Sequence, residues 1–398
     1  MQGHKKEANM NAHAKPSKEK KTGFHRLWMS ATLALMTLTT MGHMLLPTSE
    51  SQVAQAAALP ARQGNITVYV QDKAGLSLRD ADAEHLDQIN YAFALLEDGK
   101  ATGDHWQSVS TVTKYLKRHP HITGVLSVGG WGAEGFSDAT ATAQGREKLA
   151  QSMLELMDQH GFRGIDLDWE YPGSSMGGLK HRENDWDNYL SLMELLRVEL
   201  DAREAATGKD YILSVALGAN KSLINAVDGT RLSSLVDQVN LMTYDFTGFD
   251  RTTGHHAALY PDGDNPLGAA YVVQAYADRG IPKSKMQLGA AFYGRAWRQV
   301  PSSNNGLGQR AATTGNKVYT QGQIQELLAS GSTQRYFDQA AQSPWLYDGS
   351  TFISYEDAES MAAKAAYIRQ QGLLGVSCWA LDQDATGTLV QALDAGLR

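Results

Sequence analysis

Short apolar segments alternate with amphipathic stretches along most of the chain after residue 65. Eight segments read as strands: Ile66–Val70, Gln88–Leu95, Thr123–Gly129, Gly164–Glu170, Ile212–Ala216, Gln238–Tyr244, Met286–Phe292 and Leu374–Trp379. Helical periodicity fills most of the gaps, as in Arg146–His160 and Trp186–Leu200. Strands that alternate with helices are typical of parallel sheets, and eight such units predict an α/β fold, a closed (β/α)8 TIM barrel.

The gap between the seventh and the eighth candidate strand is longer than one helix requires. It holds a stretch rich in Gly, Asn and Ser, a short helical pattern at 320–329 and the extended segment Phe352–Tyr355. Several aromatic residues in this gap need something to pack against, which argues against one long structureless loop. We predict a small α+β subdomain at residues 298–355, inserted between strand 7 and helix 7 as a wall on the active face.

The first 58 residues have the features of an export signal. Basic residues between Lys15 and Arg26 precede an apolar run from Leu27 to Leu46, and the small residues at 54–58 suit an A-x-A type cleavage site. A membrane anchor is the alternative, but Thr, Gly and His residues dilute the run below what a stable span needs. We therefore expect a secreted, extracellular protein with one catalytic domain at 59–398 and no membrane association once the signal is removed.

Composition and charge narrow the possible partners. The 398 residues are 42% hydrophobic and 20% charged, which is typical of a globular chain. A formal net charge of −7 provides no basic field for nucleic acid or anionic lipid, so we expect neither as a partner. The lone Cys378 cannot form an internal disulfide and is interpreted as a buried core thiol. We expect a monomer.

The segment Gly164–Pro172 places three acids at alternate positions. Because side chains alternate along a strand, Asp166, Asp168 and Glu170 share one face, which would point into the barrel near its carboxyl rim. Two such charges about 4 Å apart repel by about 4 kcal/mol at an effective dielectric constant near 20. One shared proton would leave a protonated carboxyl group as a general acid. A divalent metal is the competing interpretation. No His or Asn cluster accompanies the acids, so we expect no metal.

At this point the chain resembles glycoside hydrolase family 18, the chitinases and their relatives. The family's fourth strand carries D-x-x-D-x-D-x-E, whose last three acids are present here, whereas Arg163 replaces the first Asp at the start of the strand. Four further strand ends are similar to family signatures in the right order: Ser127–Gly130 to S-x-G-G, Met242–Asp245 to M-x-Y-D, Tyr293–Arg295 to Y-G-R, and the eighth strand ending in Trp379. The resemblance covers nearly the whole chain after the signal.

The resemblance implies a chitinase that hydrolyses β-1,4 bonds between N-acetylglucosamine units with retained configuration and without a cofactor. Glu170 would protonate the glycosidic oxygen while the substrate's own acetamido carbonyl attacks the anomeric carbon and forms an oxazolinium ion. Asp168 would orient the acetamido N–H, with Asp166 behind it accepting the shared proton. Tyr244 would hydrogen-bond the acetamido oxygen. Water activated by Glu170 as a base would then open the oxazolinium.

The resemblance also implies which residues bind chitin or N-acetylglucosamine oligosaccharides. Asp245 would contact the reacting sugar, Tyr69 and Ser127 would support Asp166, and Trp379 would form the floor under the ring. Trp131 and Trp297, expected in loops, are interpreted as stacking on sugars, whereas Trp345 could stack or pack. The remaining expected binding residues are Phe93, Gly129, Gly130, Gly132, Tyr171, Met242, Thr243, Tyr293 and Arg295.

Two alternatives remain for a chain with these motifs. Another N-acetylglucosaminidase of the same family would act on glycan cores or bacterial cell wall. A lectin-like member would bind chitin without cutting it, but such members typically lack the catalytic acid, and Glu170 is present here. The inserted subdomain and the numerous aromatic residues favour a deep groove for a long polymer.

Overall fold

A computed structural model describes residues 61–261 and 265–398. The predicted export signal at 1–58 lies outside the described residues. The strands are β1 Asn65–Gln71, β2 Gln88–Glu97, β3 Lys100–Thr102, β4 Thr123–Gly129, β5 Gly164–Asp168, β6 Ile212–Leu217, β7 Gln238–Leu241, β8 Met286–Ala291, β9 Tyr293–Trp297, β10 Lys317–Thr320, β11 Gln334–Asp338, β12 Ser343–Tyr347, β13 Phe352–Ser354 and β14 Gly375–Trp379. The α-helices are α1 Val109–Arg118, α2 Phe136–Thr140, α3 Ala143–His160, α4 Asp185–Thr207, α5 Lys221–Ala226, α6 Gly229–Leu235, α7 Ala269–Asp278, α8 Gln321–Ala329, α9 Ala358–Gln371 and α10 Thr388–Leu397.

Eight parallel strands close into a barrel, which confirms the predicted fold. Their order is β1, β2, β4, β5, β6, β7, β8 and β14, and β1 pairs with both β2 and β14, so the sheet has no free edge. The short β3 folds back on β2 as an antiparallel hairpin. The first crossover carries only a 3-10 turn at Asp80–His85 where the other crossovers have α-helices. No helix in the described ranges is long and apolar enough to cross a membrane.

Local signals explain where the long helices begin and end. The α3 helix starts after Thr142, whose side chain accepts a hydrogen bond from the Gly145 amide, and it ends at Gly161 in the left-handed conformation. The predicted helix at 146–160 therefore exists and begins three residues earlier. The α4 helix runs on to Thr207, beyond the predicted end at Leu200, and ends at Gly208 in the same conformation.

The predicted insertion between the seventh barrel strand and the next helix is present. It is a five-stranded antiparallel sheet in the order β10, β9, β13, β12, β11, together with α8. Its first strand begins at Tyr293 instead of after residue 298, so it follows β8 directly. Tyr293 and Arg295 therefore belong to the insertion.

Polar layers fill part of the barrel interior. Near the amino ends of the strands, Gln287 donates to Gln238, Gln238 to Gln88, and Gln88 to Asn90, at 2.7–2.9 Å. These amides are buried, and each has at least one hydrogen bond to a neighbour, which offsets part of the loss of water. Apolar residues of alternate parity, such as Leu167, face the helices. The predicted core thiol, Cys378, is indeed buried, and burial raises its pKa.

Candidate active site

A cleft of about 550 Å³ opens at the carboxyl end of the barrel. Most of the predicted site residues line it: Tyr69, Phe93, Trp131, Asp168, Glu170, Tyr171, Met242, Tyr244, Asp245, Tyr293, Arg295 and Trp379. They come from strand ends widely separated in sequence, which the closed barrel brings to a single rim.

The three acids lie at increasing height along one line. Strand β5 ends at Asp168 instead of Glu170, so Glu170 belongs to the segment that follows the strand. Asp166 is completely buried, and Asp168 and Glu170 are nearly so. The predicted alternation therefore places Asp166 deepest, with the other two acids lining the cleft.

Asp166 is held by four side chains from four other strands. The Tyr69 hydroxyl and Ser127 Oγ donate to its Oδ2 at 2.9 and 2.7 Å. Ser214 Oγ and Asn240 Nδ2 donate to its Oδ1 at 2.6 and 3.0 Å. Burial raises the pKa of Asp166 above its usual value, although these hydrogen bonds oppose the rise. A carboxylate with four donors in a dry interior is stabilised and fixed in orientation.

The other two acids hold protons more readily than free carboxyl groups. Burial raises the pKa of Asp168 well above its usual range, and the charges of Glu170 and Asp166 add to this effect. Burial also raises the pKa of Glu170 to about 7; a hydrogen bond with Tyr171 opposes the rise and the charge of Asp245 adds to it. Asp168 Oδ1 has no hydrogen-bond partner among the described residues. This site can therefore supply a proton near neutral pH and offers an unused acceptor.

Asp245 differs from these acids because a cation holds it. Arg295 donates to both of its carboxylate oxygens, and the Tyr293 hydroxyl donates to Oδ1 at 2.7 Å. Burial alone would raise the pKa of Asp245. The hydrogen bonds and charges of Arg295 and His256 have the larger combined effect, so the pKa of Asp245 lies well below its usual value. Asp245 has φ +60°, an uncommon conformation for a residue other than Gly, which often marks a functional site.

Aromatic rings line the floor and one end of the cleft. Trp379 stacks on Phe93 with ring centroids 5.5 Å apart. The ring of Tyr69 also packs against Trp379, with ring centroids 5.6 Å apart. Tyr244 meets Tyr293 edge to face. Trp131 lies at the outer end next to Tyr171, and its side chain is 59% exposed. Flat apolar surfaces beside polar groups suit the two faces of a sugar ring.

Trp297 does not occupy the place that the sequence suggested, and Trp345, for which stacking and packing were both open, packs in a core. Trp297 was expected in a loop as a stacking surface, but it lies in β9, is completely buried and donates from Nε1 to the Asp250 carbonyl. Trp345 lies in β12, stacked on Tyr336. Both pack in the small core of the insertion. The sheet of the insertion has its own hydrophobic core, and these two side chains fill it, so they are not available to stack on a sugar.

The predicted glycines and Thr243 do not line the cleft. A Cβ on Gly129, which has φ +120°, would lie 2.2 Å from the Asp168 carbonyl oxygen, and one on Gly130 would collide with the Phe93 ring. These glycines therefore permit close packing of β4 on β5 and on Phe93. Thr243 is buried and donates to the Gly289 carbonyl. Gly132 is exposed next to Trp131 and is not part of the cleft wall.

The cleft contains residues that the sequence analysis missed. Ser214, directly below the cleft, is the single polar residue of β6, and Asn240 lies at an inward position of β7, a signal that alternation could have revealed. Asn220 caps α5 directly after β6 and faces the cleft together with Met176. Phe249 is 66% exposed, and the Arg295 guanidinium lies 5.1 Å from its ring. Asn220 and Phe249 follow strand ends, where the residues of a barrel site are expected even without a motif.

Within the described ranges, no group of three His, Cys, Asp or Glu side chains is arranged to hold a metal ion. The acids of β5 are instead spaced along the strand, with hydroxyl and amide donors around the deepest one.

Comparisons with known proteins agree with this geometry. The sequence profile described as Glycosyl hydrolases family 18 matches residues 65–384. Chitinase A1 of Niallia circulans is 35% identical over 332 residues, which cover 76% of this chain and 47% of the relative. Chitotriosidase-1 of Mus musculus is 30% identical over 349 residues, covering 84% and 74% of the two chains. The chain thus spans about half the length of the Niallia circulans enzyme.

A solved structure shares the same architecture. The family 18 N-acetylglucosaminidase from Paenibacillus barengoltzii superposes with a TM-score of 0.79 at 34% identity, covering 84% of this chain and 99% of that one. The profile match spans nearly all of the barrel and the whole cleft. From this match, together with the barrel and its row of acids, the chain belongs to glycosyl hydrolase family 18.

Proposed function

We propose that this protein is a secreted chitinase that hydrolyses β-1,4 bonds between N-acetylglucosamine units with retention, using Glu170 as acid and base. The observation that carries the proposal is the state of Glu170, a cleft carboxyl group whose pKa is raised to about 7 by burial. A general acid works best when its pKa is close to the working pH. Glu170 can therefore donate a proton to the leaving oxygen and take one from water in the second step.

The nucleophile in this proposal is the acetamido carbonyl of the substrate. As the bond from the anomeric carbon to the leaving oxygen breaks, the carbonyl oxygen bonds to that carbon, and the leaving oxygen takes the proton of Glu170. The unpartnered Oδ1 of Asp168 is available to accept the acetamido N–H. The developing positive charge is stabilised by Asp168, and the Tyr244 hydroxyl donates to the acetamido oxygen.

Asp166 has a supporting part in the same cycle. Its four donors fix its orientation below Asp168, and burial raises its pKa, so that it can accept the shared proton while Asp168 becomes the charged carboxylate that faces the sugar. In the second step, water attacks the anomeric carbon, the bond to the acetamido oxygen breaks, and Glu170 accepts the water proton. The anomeric configuration is inverted twice and is therefore retained.

The spread of aromatic residues along the cleft supports a polymeric substrate. Aromatic surfaces extend from Trp379 at the floor to the exposed rings of Trp131 and Phe249. The relatives named as chitinases support chitin as that polymer. The proposed export rests on the basic stretch and the apolar run of the first 58 residues.

The second candidate is an N-acetylglucosaminidase that acts on glycan cores or on cell wall. The observation in its favour is the likeness to the Paenibacillus barengoltzii structure, which is described by that activity. A lectin-like role is disfavoured because Glu170, the proposed acid, is present and lines the cleft.

A product profile separates these candidates. Purified protein is incubated with N-acetylglucosamine oligomers of two to six units, with peptidoglycan and with a glycoprotein, and the products are sized. A chitinase releases shorter oligomers from the hexamer and leaves the other two substrates intact, with Glu170→Gln as the inactive control. Cleavage of peptidoglycan or the glycoprotein alone would support the second candidate, and binding without any product would support a lectin.

A further inference from the structure

His256 is a completely buried histidine next to Asp245, and the mechanism above does not use it. It lies in the segment between β7 and α7. Its amide donates to Ser354 Oγ of β13 at 2.8 Å, and its carbonyl accepts from the Phe246 amide at 3.0 Å. The backbone of His256 is therefore held by both the barrel rim and the insertion, which fixes the place of its ring.

The imidazole faces the carboxylate that Arg295 and Tyr293 already bind. Its Nδ1 lies 3.6 Å from Asp245 Oδ1, and its ring centroid is 5.1 Å from that of Tyr293. This separation is a contact slightly longer than a hydrogen bond. Neither ring nitrogen of His256 has a hydrogen-bond partner among the described residues. Buried polar groups without partners are uncommon, and one that lies against a site carboxylate calls for a functional explanation.

The charged groups around the ring keep it neutral. They are Asp245 and Arg295 on the cleft side and Glu356 behind, and Glu356 forms a buried ion pair with Lys364. Burial lowers the pKa of His256, Arg295 adds to this effect, and Asp245 and Glu356 oppose it. A neutral imidazole carries one N–H, and the adjacent carboxylate favours the tautomer with that hydrogen on Nδ1.

We propose that His256 is a positioning residue that acts through Asp245, with its neutral Nδ1–H closing to a hydrogen bond on Oδ1 when the carboxylate engages the sugar. Hydrogen bonds of this kind are often long before substrate binds and shorten in the complex. The inference rests on the proposed function, because it assigns His256 a part in binding the same saccharide.

A neutral donor suits this position better than a second cation. Asp245 already forms an ion pair with the positively charged Arg295, and the negative charge of Asp245 contributes to the raised pKa of Glu170. Another positive charge at residue 256 would cancel that contribution and lower the pKa of the acid. The imidazole can restrain the carboxylate without this effect, and its neutral state follows from the burial that the insertion provides.

The test is a double-mutant cycle with a conservative control. His256→Leu removes the donor and keeps an apolar side chain, whereas His256→Asn places an amide N–H close to the former position of Nδ1. The kcat/KM of both single variants is measured on the N-acetylglucosamine hexamer. His256→Leu is also combined with Asp245→Ala, and the double variant is compared with Asp245→Ala alone. Thermal unfolding checks that every variant is folded. If Asp245→Ala does not fold, Asp245→Asn replaces it.

We expect His256→Leu to lower kcat/KM about tenfold or more, the loss typical of a hydrogen bond to a charged group, and His256→Asn to stay within about threefold. In the Asp245→Ala background His256→Leu should cause no further loss, because coupled residues are not additive. An equal loss in both backgrounds, an unchanged His256→Leu enzyme, or an asparagine variant as impaired as the leucine variant would overturn the assignment. Failure of the wild-type protein to cleave any N-acetylglucosamine oligomer would overturn the proposed function instead.

Discussion

Arg295 binds Asp245 with two parallel hydrogen bonds, its Nε and Nη2 each lying 2.5 Å from a different carboxylate oxygen. Asp245 follows β7 of the barrel, whereas Arg295 comes from β9, the first strand of the insertion. The pair therefore joins the insertion to the rim of the cleft. A bidentate pair restricts both side chains, so the insertion helps to set the shape of the site.

The first prediction concerns the proposed acid. Glu170→Gln should lower turnover by at least about a hundredfold, because an amide cannot transfer the proton, while oligosaccharide affinity and the fold are kept. Steady-state kinetics on the hexamer, tryptophan fluorescence titration and thermal unfolding measure the three quantities. Near-normal turnover in a folded variant would exclude Glu170 as the acid.

The second prediction concerns pH. The acid form of Glu170 is present below its pKa of about 7, so the rate should fall as pH rises through that value. The pKa of Glu170 is near 4.5 in the unfolded chain and about 7 in the folded protein, so folding favours the protonated carboxyl group. The resulting contribution to stability is fully present below about pH 4.5 and is lost as the pH rises through about 7. Glu170→Gln cannot ionise, so its stability relative to wild type should increase between pH 5 and pH 8, which denaturant unfolding at several pH values would show.

The third prediction concerns Ser214, which donates to buried Asp166. Ser214→Ala should destabilise the fold by about 1.5–3 kcal/mol, the usual value of a hydrogen bond to a charged group. It should also raise the pKa of Asp166 and reduce turnover, because the carboxylate loses one of the four donors that stabilise its charge and fix its orientation. Ser343→Ala is the matched control, since Ser343 is buried and its hydroxyl has no partner in the described structure. Equal effects of the two substitutions would rule out a special role of the Asp166 network.

The fourth prediction separates two tryptophans. Trp131→Ala should weaken binding of the hexamer by several-fold to about tenfold, in line with the energy of aromatic contacts, without changing the unfolding temperature, because the ring is exposed. Trp297→Ala should instead destabilise the protein by about 3–5 kcal/mol through loss of core packing. Calorimetry of binding and of unfolding on both variants provides the comparison. A loss of affinity in a fully stable Trp297 variant would contradict the assignment.

The fifth prediction tests the nucleophile. If the acetamido group attacks, an oligomer with glucosamine at the reacting position should bind but not be cleaved there, whereas Asp168→Ala should keep slow hydrolysis of acetylated substrate. A stable thiazoline mimic of the oxazolinium should inhibit, because Asp168 and Tyr244 would favour the cyclised, charged state. Efficient cleavage at a deacetylated sugar, or a glycosyl ester trapped on Asp168 or Asp245, would indicate a protein nucleophile.

The sequence by itself determined the barrel, the insertion and the row of acids on β5. These features follow from local periodicity, since a two-residue repeat decides which side chains share a face of a strand. The sequence also identified Asp245, Arg295 and Trp379, through their resemblance to the strand ends of the family. The carboxyl-terminal ends of the strands were less predictable, and β5 and β7 end earlier than their apolar patterns suggested.

Only the tertiary structure decided which side chains meet. Ser214 joins Asp166 because strand register pairs the two residues, and Asn240 reaches the same carboxylate from β7 across the closed barrel. Trp297 lies outside the cleft because it packs in the core of the insertion. His256 is brought to Asp245 by a connection that carries no motif. Burial, charge and contact at such positions depend on elements far apart in the chain, and no local pattern of residues records them.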